Sequence, residues 1–459
     1  MDGNRLGEMF DLISASGNLV DGIVIVKDGY LVTEAYREPF GPGERHIIHS
    51  CTKSIVSAVV GIAIGQGSIP GVETRIGELF PNADTSGWNE RKSTITLEDM
   101  LTMTTGLETR DNYQYGWEGL TAMRRSPDWT EYALARPLYT SPGRHFEYSN
   151  ITSYLLSAAV QEATGRSTED FAREFLFEPL GITDLRWPTS PRGVTTGWGE
   201  LRMIPTDLAK FGLLYLYGGA WNGTQIVPGD WVRKSWQMHV EANTLQRGYG
   251  YQWWIPDEGV YGLGYRGQYL IVNPEKALVV VIVSNLPDED FYFPELLYLD
   301  FIEPATGGPA RPLDPATTTA YSRADGPAQQ DSVSSHPAPP GAGSWSGAYA
   351  LSENAFGLNG ISIDIAPNGT LEVLTEIYEA HDEAYQLGTP GEFAVTRIGE
   401  QDIAVRTGWT DGGELEVLYV GVGEAWWTRL WIRVRGSSAT IRARTGSGYE
   451  TTMTGTRTY

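Results

Sequence analysis

The stretch His49-Ser50-Cys51-Thr52-Lys53 opens an apolar run that extends from Ile55 to Ile64. Ser50 and Lys53 are three residues apart, so in a helix their side chains lie on the same face, one turn apart. Ser50 then stands at the helix start, where free backbone N–H groups and the positive end of the helix dipole gather. The spacing predicts a helix whose first turn pairs a serine with a lysine.

This pair is suited to nucleophilic chemistry. A serine hydroxyl is a weak nucleophile until a base takes its proton, and a desolvated lysine is one such base. The residues that follow Lys53 are mostly apolar, which disfavours the charged ammonium form. The S-x-x-K pattern by itself is equally compatible with an ordinary N-capped core helix, so further motifs have to decide between the two interpretations.

Length and composition bound the class of protein. A chain of 459 residues predicts two or three domains, and an apolar content of 41% indicates a globular protein. A formal net charge of −23 argues against nucleic acid and anionic membranes as partners. No signal peptide opens the chain, and no apolar run reaches the roughly 18 residues of a membrane span. We expect a soluble protein, cytoplasmic as given or exported if an export signal has been removed.

Cysteine and histidine usage gives no sign of a metal or a cofactor. Cys51 is the only cysteine, so no internal disulfide forms, and we expect it to be a small buried residue. None of the six histidines forms an H-E-x-x-H or similar ligand pair. We expect His49 to have a structural role, because its side chain would point to a different face from that of Ser50.

Periodicity predicts helices and strands in an α+β arrangement. Strands Gly22–Lys27 and Tyr30–Tyr36 flank an Asp28-Gly29 hairpin turn. Helical spacing recurs at residues 5–18, 94–101, 151–164, 168–176 and 206–217. Three further strands are predicted at Tyr249–Ile255, Gly267–Val272 and Ala277–Ser284, the last of them buried on both faces.

The composition changes near Glu303. Residues 304–343 are rich in Pro, Ala, Gly, Ser and Thr, which is typical of a semi-extended linker. From Trp345 onward, short alternating strands are separated by Gly, Asn and Asp turns, which predicts a small all-β barrel or sandwich. We therefore expect one domain over residues 1–303, a linker over 304–343 and an all-β domain over 344–459.

A second chemical motif is Tyr148-Ser149-Asn150, which stands on a turn before a predicted helix. A phenol near a lysine ammonium has its pKa lowered and can carry a proton between Ser50 and a leaving group. The amide of Asn150 can hold Lys53 or a substrate carbonyl. On its own, Tyr-x-Asn carries little information. It becomes informative because it follows an S-x-x-K pair in the same chain.

A third motif is the glycine-rich segment from Tyr261 to Gln268. Glycines in a strand let another backbone or a ligand approach closely, and we expect this strand edge to face Ser50. The N–H groups of Ser50 and Tyr265 would then point at the oxyanion that develops during acyl transfer. The alternative is a glycine-rich turn between two strands.

The segment from Glu108 to Trp129 is irregular and aromatic-rich, which predicts a long loop or lid. Tyr113, Tyr115 and Trp117, together with Trp198, would favour a partly apolar substrate. One hypothesis is that Tyr113 or Tyr115 donates a hydrogen bond to an amide nitrogen of the substrate. The alternative is a surface loop packed by its own aromatic rings.

Together, S-x-x-K, Y-x-N and the glycine-rich strand, in that order, resemble the serine β-lactamase and penicillin-binding-protein superfamily. The chain looks most like its class C-related esterase and 6-aminohexanoate-dimer hydrolase branch. The resemblance covers about residues 5–300 and extends to other phrases, namely Leu101–Leu107, Pro142-Gly143, Phe177–Ile182, Gly197–Gly199, Asp207–Gly212 and Gly264–Gln268. The C-terminal β domain resembles the lipocalin-like appendage of some of these hydrolases.

The resemblance implies a fold and a set of roles. The fold is an antiparallel sheet flanked by helices, with an all-helical subdomain and the site between them. Ser50 is the acylated nucleophile and Lys53 the base or proton relay. Tyr148 is the general base in acylation and the acid for the leaving group, and Asn150 is a supporting polar residue. The N–H groups of Ser50 and Tyr265 bind the oxyanion, and no metal or other cofactor is implied.

One departure from the family bears on the substrate. Lactam-processing relatives carry Lys-Thr-Gly or a close variant on the third strand, whereas this chain has Gly262-Leu263-Gly264 there, with Arg266 nearby. The cation that meets a penicillin carboxylate is therefore missing from the matching position. We expect Gly264 and Arg266 to border the substrate, together with the aromatic residues of the predicted lid.

The expected activity is hydrolysis of small amides or carboxylic esters through an acyl-enzyme on Ser50. One alternative is a D-amino-acid peptidase or a weak β-lactamase, and another is a penicillin-binding or sensor protein that is acylated without turnover. A Ser-His-Asp hydrolase is disfavoured because no G-x-S-x-G elbow is present. The partner expected is a small-molecule substrate, and assembly into a homo-oligomer is left open.

Overall fold

The computed structural model describes residues 1–242, 244–308, 310, 312–314, 318, 333–387 and 389–458. The α-helices of these residues are α1 (Gly3–Ser16), α2 (Cys51–Gly65), α3 (Ile76–Leu79), α4 (Leu97–Leu101), α5 (Glu118–Arg125), α6 (Trp129–Leu134), α7 (Asn150–Thr164), α8 (Thr168–Ala172), α9 (Pro205–Leu216), α10 (Gly229–Ser235) and α11 (Phe293–Leu297). The N-terminal strands are β1 (Val20–Lys27), β2 (Tyr30–Tyr36), β3 (His46–Ile47), β4 (Leu185–Arg186), β5 (Arg202–Met203), β6 (Ala220–Trp221), β7 (Thr224–Gln225), β8 (Val240–Glu241), β9 (Gly248–Tyr249), β10 (Trp254–Ile255), β11 (Val260–Gly264), β12 (Gln268–Asn273) and β13 (Leu278–Ser284).

An antiparallel sheet with the order β2-β1-β13-β12-β11-β10-β9-β8 organises the N-terminal domain. Its β1–β2 hairpin turns at Asp28 and Gly29, whose φ angles of 53° and 79° fit the two-residue turn that the sequence predicts. The single strand predicted over Tyr249–Ile255 is wrong. Two short strands, β9 and β10, flank a turn in which Gln252 has a φ of 62°, so the apolar run there is interrupted by backbone that a strand cannot hold.

The central strand β13 shows how the sheet is covered on both sides. Val279, Val281 and Val283 join the core that includes α2, α7 and α9. The alternate residues Leu278, Val280 and Ile282 pack into a second core with α1 and α11. Because side chains alternate across a strand, a continuous apolar run fits a sheet sandwiched between helices, which confirms the prediction for this strand.

The helical subdomain is built around α7, which packs against α2, α4, α5 and α6. The prediction of irregular structure from Glu108 to Trp129 is wrong beyond Trp117, because α5 occupies Glu118–Arg125. Gly119 and Met123 are the buried residues of α5 and lie one turn apart. Eight residues with two buried positions are too short a pattern to stand out among the neighbouring aromatic residues.

The C-terminal strands form a barrel, which decides between the two predicted architectures. They are β14 (Gly347–Leu351), β15 (Gly360–Ile365), β16 (Leu371–Ile377), β17 (Asp382–Gln386), β18 (Ala394–Ile398), β19 (Gln401–Trp409), β20 (Leu415–Gly421), β21 (Trp427–Arg435), β22 (Ser438–Thr445) and β23 (Glu450–Arg457). Consecutive strands are hydrogen-bonded neighbours except at β17 and β18, while β14 pairs with β23. Since β17 and β18 still lie side by side, the sheet is a nearly closed barrel.

About half of the predicted linker lies outside the described residues, namely residues 309, 311, 315–317 and 319–332. The domain boundaries at 303 and 344 therefore remain predictions. Within the last part of the predicted linker, Ser335 forms a parallel bridge with Trp409 of β19. The chain is therefore already attached to the barrel at this residue. In the part of the chain that the structure describes, no helix is long and apolar enough to span a bilayer.

One end of the barrel contacts the N-terminal domain. Because the strands alternate in direction, the β16–β17, β18–β19, β20–β21 and β22–β23 turns share this end, which we call the mouth. Ile47 N donates to Gly423 O at 2.7 Å, and Arg202 Nη2 donates to Glu424 Oε2 at 2.7 Å while its Nε contacts Oε1. Arg186 pairs with a glutamate of the β18–β19 turn at 2.5 Å. The mouth is thus held by backbone and ionic contacts.

The Arg202–Glu424 pair should stabilise the interface, because its side chains are only 19% and 14% exposed. Removing one member leaves the other poorly solvated, so Glu424→Gln and Arg202→Gln should each lower stability by about 1–3 kcal/mol. The double variant should lose much less than the sum of the two, and thermal unfolding of the four proteins measures this coupling. Additive losses would show that the pair does not couple the domains, and Glu372→Gln, on an exposed barrel position, is the neutral control.

Candidate active site

The site is built on the first turn of α2. Ser50 is the N-cap residue of this helix, and Lys53 lies one turn further on. The Lys53 Nζ is 3.0 Å from Ser50 Oγ, 2.7 Å from Asn150 Oδ1 and 2.6 Å from the Trp198 carbonyl oxygen. The side chains of Ser50 and Lys53 are therefore in direct contact, and three acceptors surround one ammonium group.

Burial controls the protonation of Lys53. The residue is 1% exposed, and desolvation lowers its pKa to about 7, an effect that the negative charge of Asp111 partly offsets. A lysine with this pKa is substantially neutral at physiological pH. It lies at hydrogen-bond distance from a serine hydroxyl and can accept its proton, which is the requirement for an activated nucleophile.

Asn150 fixes the position of Lys53 from the start of α7. Its side-chain oxygen accepts from Lys53, and its Nδ2 donates to the Asp111 carbonyl at 2.9 Å, so both ends of the amide are engaged. Of the two roles that the sequence left open for Asn150, the described geometry matches the holding of Lys53. The neighbouring Ser149 caps the helix by accepting from Thr152 N at 2.9 Å.

Asp111 is a buried carboxylate that the sequence analysis missed. It accepts from Ile151 N at 2.5 Å, from Thr109 Oγ1 at 2.8 Å and from Ser149 Oγ at 3.3 Å. Burial raises its pKa to about 6 despite these hydrogen bonds. Asp111 thus anchors the start of α7. Its negative charge raises the pKa of Lys53 more than any other nearby charge does. No periodicity or family phrase marked this residue, because it stands alone in an irregular segment.

Tyr148 lies over Lys53. The Lys53 Nζ is 4.8 Å from the centre of the phenol ring, and the ring stacks on Trp254 with centroids 5.5 Å apart. Burial raises the pKa of Tyr148, while proximity to the Ser50 hydroxyl acts in the opposite direction. The expectation that the lysine lowers this pKa is wrong, because desolvation outweighs the charge of an ammonium whose own pKa is depressed. The resting phenol is therefore protonated.

Strand β11 runs next to the segment that enters α2. A Cβ atom at Gly264 would lie 2.5 Å from the Ile48 carbonyl oxygen, and one at Gly262 would lie 3.7 Å from Cys51 Cα. Glycine at 264 is required by this close approach, as the sequence predicts for this edge. In the loops and turns of the described chain, neither Ser50 N–H nor Tyr265 N–H donates to a backbone carbonyl. The role of these two N–H groups as oxyanion donors stays a prediction.

Gln268 braces the turn that carries Tyr265. Its Nε2 donates to the carbonyls of Tyr265 at 3.1 Å and Ser284 at 2.6 Å, and its Oε1 accepts from Ser284 N at 3.1 Å. A fully buried amide with these partners fixes the backbone of the turn against β13. Gln268 belongs to the glycine-rich segment from Tyr261 to Gln268, but nothing in that segment predicts these bonds.

Two of the predicted substrate-binding residues are buried. The Trp198 indole is 5% exposed and packs between Trp129 and Tyr154, while its carbonyl group accepts from Lys53. Arg266 is 8% exposed, and its Nη1 donates to Asn285 Oδ1 at 2.6 Å. In this structure Trp198 supports the site through its backbone, and the Arg266 guanidinium is engaged within the protein.

The aromatic residues of the predicted lid take different positions. Residues Tyr113–Tyr115 form a short 3₁₀ turn, and the Tyr113 side chain lies outside what the structure describes. Tyr115 is 38% exposed and stacks with the Arg110 guanidinium, whereas Trp117 is half-buried at the start of α5. The segment reaches the site through Asp111 at its base, and contact of its rings with a substrate remains a prediction.

The residues on either side of Ser50 have supporting roles. His49 has a φ of 43° and packs edge-on against the Tyr265 ring, with centroids 5.7 Å apart. Burial and nearby cations lower the pKa of His49 to about 3, so it is neutral. Cys51 is fully buried, and burial raises the pKa of its thiol to about 12. Neither residue is available as an acid, a base or a nucleophile at neutral pH.

Gln252 connects the two helices of the site and was also missed by the sequence analysis. Its carbonyl oxygen accepts from Ser54 Oγ of α2 at 2.8 Å, and its Oε1 accepts from Ser153 Oγ of α7 at 2.7 Å. Its Nε2 donates to the Leu101 carbonyl of α4 at 2.8 Å. These bonds fix the spacing between the helices that carry Lys53 and Asn150. An isolated glutamine in an aromatic run has no sequence signature of its own.

With this geometry established, residues 15–305 match the family described as Beta-lactamase. The chain belongs to the beta-lactamase family. It is 25% identical over 294 residues to the 6-aminohexanoate-dimer hydrolase of Paenarthrobacter ureafaciens, an alignment that spans 59% of this chain and 74% of that protein. The superfamily and the branch that the motifs resembled are thereby confirmed.

Two solved structures share the fold. A Bacillus anthracis protein assigned as a 6-aminohexanoate-dimer hydrolase superposes with a TM-score of 0.55 and 22% identity, covering 64% of this chain and 80% of its own. The octameric penicillin-binding-protein homologue of Pyrococcus abyssi superposes with a TM-score of 0.54 and 16% identity, covering 99% of this chain and 100% of its own. The second match includes the barrel, whose nearly closed form fits a lipocalin-like domain.

The pairing of Asp111 with Lys53 predicts a shift in pH dependence. Asp111→Asn removes a negative charge that raises the pKa of Lys53, so neutral Lys53 should persist to lower pH. The rate of Ser50 labelling by a fluorophosphonate should therefore rise with pH through about 7 in the parent protein and at a lower pH in the variant. Because the two groups interact, the midpoint belongs to the pair.

Asp99→Asn is the matched control, since Asp99 also accepts a hydrogen bond at a helix start but is not among the charges that shift Lys53. Its labelling profile should keep the parent midpoint. An unchanged or higher midpoint in Asp111→Asn would contradict the electrostatic role assigned to Asp111, whereas a lower rate with no change in midpoint would indicate a purely structural role.

Proposed function

We propose that this chain is a serine hydrolase that cleaves small amides or carboxylic esters through an acyl-enzyme on Ser50. One observation carries the proposal: the buried Lys53 Nζ, with a pKa of about 7, is 3.0 Å from Ser50 Oγ. A neutral amine at this distance from a hydroxyl supplies the general base that a serine nucleophile needs. Membership of the beta-lactamase family supports the same chemistry.

Acylation would begin with proton transfer from Ser50 to Lys53. As the proton leaves, Ser50 Oγ forms a bond to the substrate carbonyl carbon, and the carbonyl oxygen becomes an oxyanion. The N–H groups of Ser50 and Tyr265 would stabilise this charge, helped by the start of α2. Donors fixed in advance by Gln268 and by the helix need little reorganisation when the charge develops.

Collapse of the tetrahedral intermediate requires a proton for the leaving group. Tyr148 is protonated at rest and close to Ser50, so it can donate to the leaving nitrogen or oxygen. The ammonium of Lys53, formed in the first step, would return a proton to Tyr148 and regenerate the neutral amine. Hydrolysis of the acyl-enzyme would use water in place of Ser50 by the same route. In this scheme Lys53 is the base in acylation, and Tyr148 is chiefly the acid.

The edge of β11 bears on the class of substrate. Gly262, Leu263 and Gly264 offer no cation there, and the nearby Arg266 guanidinium is bonded to Asn285. A lactam carboxylate would thus find no obvious partner on this strand, which supports linear amides or esters. The relation to a 6-aminohexanoate-dimer hydrolase points the same way. Tyr113 or Tyr115 as a donor to an amide nitrogen remains part of this proposal.

The other candidate activities differ in what they predict. A D-amino-acid peptidase or a weak β-lactamase would use the same residues on D-alanyl peptides or nitrocefin. An acylated sensor would form the adduct but lack efficient deacylation. Intact mass spectrometry after incubation with p-nitrophenyl esters, the 6-aminohexanoate linear dimer, a D-alanyl peptide and nitrocefin separates them. We expect turnover of an ester or the dimer, and a stable adduct without any turnover would instead support the sensor.

Ser50→Ala should abolish labelling by a fluorophosphonate as well as turnover, because the nucleophilic oxygen is lost. Thermal unfolding of the variant should match that of the parent protein. Persistent labelling with one fluorophosphonate per chain would place the nucleophile on another residue. Loss of labelling together with unchanged turnover would contradict the acyl-enzyme mechanism.

Lys53→Ala and Tyr148→Phe should each lower kcat/KM by about 10²–10⁴-fold, the usual contribution of a positioned acid or base. In the parent protein kcat/KM should rise with pH through about 7, because only neutral Lys53 accepts the serine proton. Lys92→Ala is the matched control: Lys92 is another buried lysine with a lowered pKa, but it donates to the backbone carbonyls of Leu134 and Arg136. It should lose stability and keep kcat/KM. Near-normal kcat/KM in either site variant would refute the proton relay.

A further inference from the structure

The mouth of the barrel contains a cavity of about 240 Å³ that the hydrolase chemistry does not use. Its polar lining consists chiefly of Glu376, Tyr378, Glu383, Tyr385 and Tyr419. Because side chains alternate along extended backbone, Glu376 of β16 and Tyr378 just after it point into the same interior, as do Glu383 and Tyr385 of β17. The rest of the cavity lining is mostly apolar.

The cavity is acidic, and the described residues that line it include no lysine or arginine. Glu376 Oε2 accepts from Tyr378 Oη at 2.9 Å, and Glu383 Oε2 accepts from Tyr385 Oη at 2.9 Å. Outside the lining, His381 Nε2 is 3.1 Å from Glu383 Oε1. The phenols orient two carboxylates without neutralising them, and burial raises the pKa of Glu376. Of the two, Glu376 has no basic side chain among its described partners, whereas Glu383 also faces the His381 imidazole.

Tyr419 adds an incompletely paired hydroxyl to the same cavity. Its side chain is 4% exposed and lines the cavity, and its hydroxyl interacts with the Glu376 carboxylate without forming a hydrogen bond of normal geometry. Burial and the nearby Glu376 carboxylate raise the pKa of Tyr419 far above its usual value, so the group stays a neutral phenol. Buried polar groups in folded proteins are nearly always paired, and an exception beside a cavity indicates a site for a polar molecule.

The chemistry of the lining selects the ligand. Carboxylates favour a cation with N–H donors, and aromatic faces add cation–π attraction, here from the Tyr378, Tyr385 and Trp426 rings. The apolar wall, which includes Ile403, Leu430 and Met453, favours a short hydrocarbon chain. We propose that the barrel binds a small alkylammonium ion, with its ammonium group at Glu376 and Glu383 and its chain directed into the barrel. The volume lies below the usual range of about 300–1,000 Å³ for drug-sized ligands, so the chain is short.

The acidic cavity lies at the mouth of the barrel, next to a second cavity. A second cavity of about 460 Å³ lies between the domains and shares Ile398, Gln401 and Trp426 with the first. Its arginines, Arg186 and Arg202, are paired with glutamates of the barrel turns, so they do not supply free positive charge at this entrance. The approach of a cation to the acidic cavity is therefore not opposed by these arginines.

The test uses the full-length protein and three probes of equal chain length: hexylammonium, 1-hexanol and hexanoate. Isothermal titration calorimetry should show saturable binding of hexylammonium, and binding of the neutral and anionic probes at least about tenfold weaker. This comparison needs no variant. Equal binding of hexylammonium and 1-hexanol would overturn the proposal, as would the absence of saturable hexylammonium binding up to millimolar concentrations.

Variants locate the site. Glu376→Gln and Glu383→Gln, tested separately in case one fails to fold, should each weaken hexylammonium binding by at least about tenfold. Glu372→Gln, on the outer face of the same strand as Glu376, is the control and should bind as the parent does. Unchanged binding in both folded cavity variants would refute the assigned site. Ser50→Ala should bind normally, so the result is independent of the proposed hydrolase function.

Discussion

A buried ammonium group is the constraint on which the site depends. Taking the charge of Lys53 out of water is costly unless acceptors replace its hydration, and three elements far apart in sequence supply them. Ser50 comes from the start of α2, Asn150 from the start of α7, and the Trp198 carbonyl from the loop before β5. A shift of α7 relative to α2 would separate Asn150 from the Lys53 amine. The packing of these two helices therefore sets the geometry of the site.

Burial shifts the pKa values of the three ionisable groups around Ser50 more than their interactions with one another do. Desolvation lowers the pKa of Lys53 and raises those of Asp111 and Tyr148, while the attraction between Lys53 and Asp111 restores part of the difference. The outcome is a base that is substantially neutral beside an acid that is protonated. The two partners of the proposed proton relay are thus in opposite states before a substrate arrives, a pattern that electrostatic attraction alone would not produce.

Sequence predicted the features that depend on local pattern. The S-x-x-K helix, the Asp28-Gly29 hairpin and the doubly buried strand β13 follow from periodicity and turn chemistry within a few residues. Asp111 and Gln252 could not be found this way, because their importance comes from partners more than thirty residues away. The pKa of Tyr148 was predicted in the wrong direction for the same reason: its sequence neighbours do not reveal that the folded chain partly buries it.

The barrel, too, is held in place by contacts between residues that are far apart in sequence. Its mouth touches two segments that flank Ser50 and Tyr265, the proposed oxyanion donors. Gly423 accepts from Ile47 in the strand that leads to Ser50, and a Cβ atom at Gly446 would lie 2.9 Å from Arg266 Nη1, beside Tyr265. A small apolar cluster of Leu19, Leu418 and Trp427 adds to the ion pairs of this interface. Because glycines make the closest contacts, the backbone of the barrel turns packs directly against the segments that precede Ser50 and follow Tyr265.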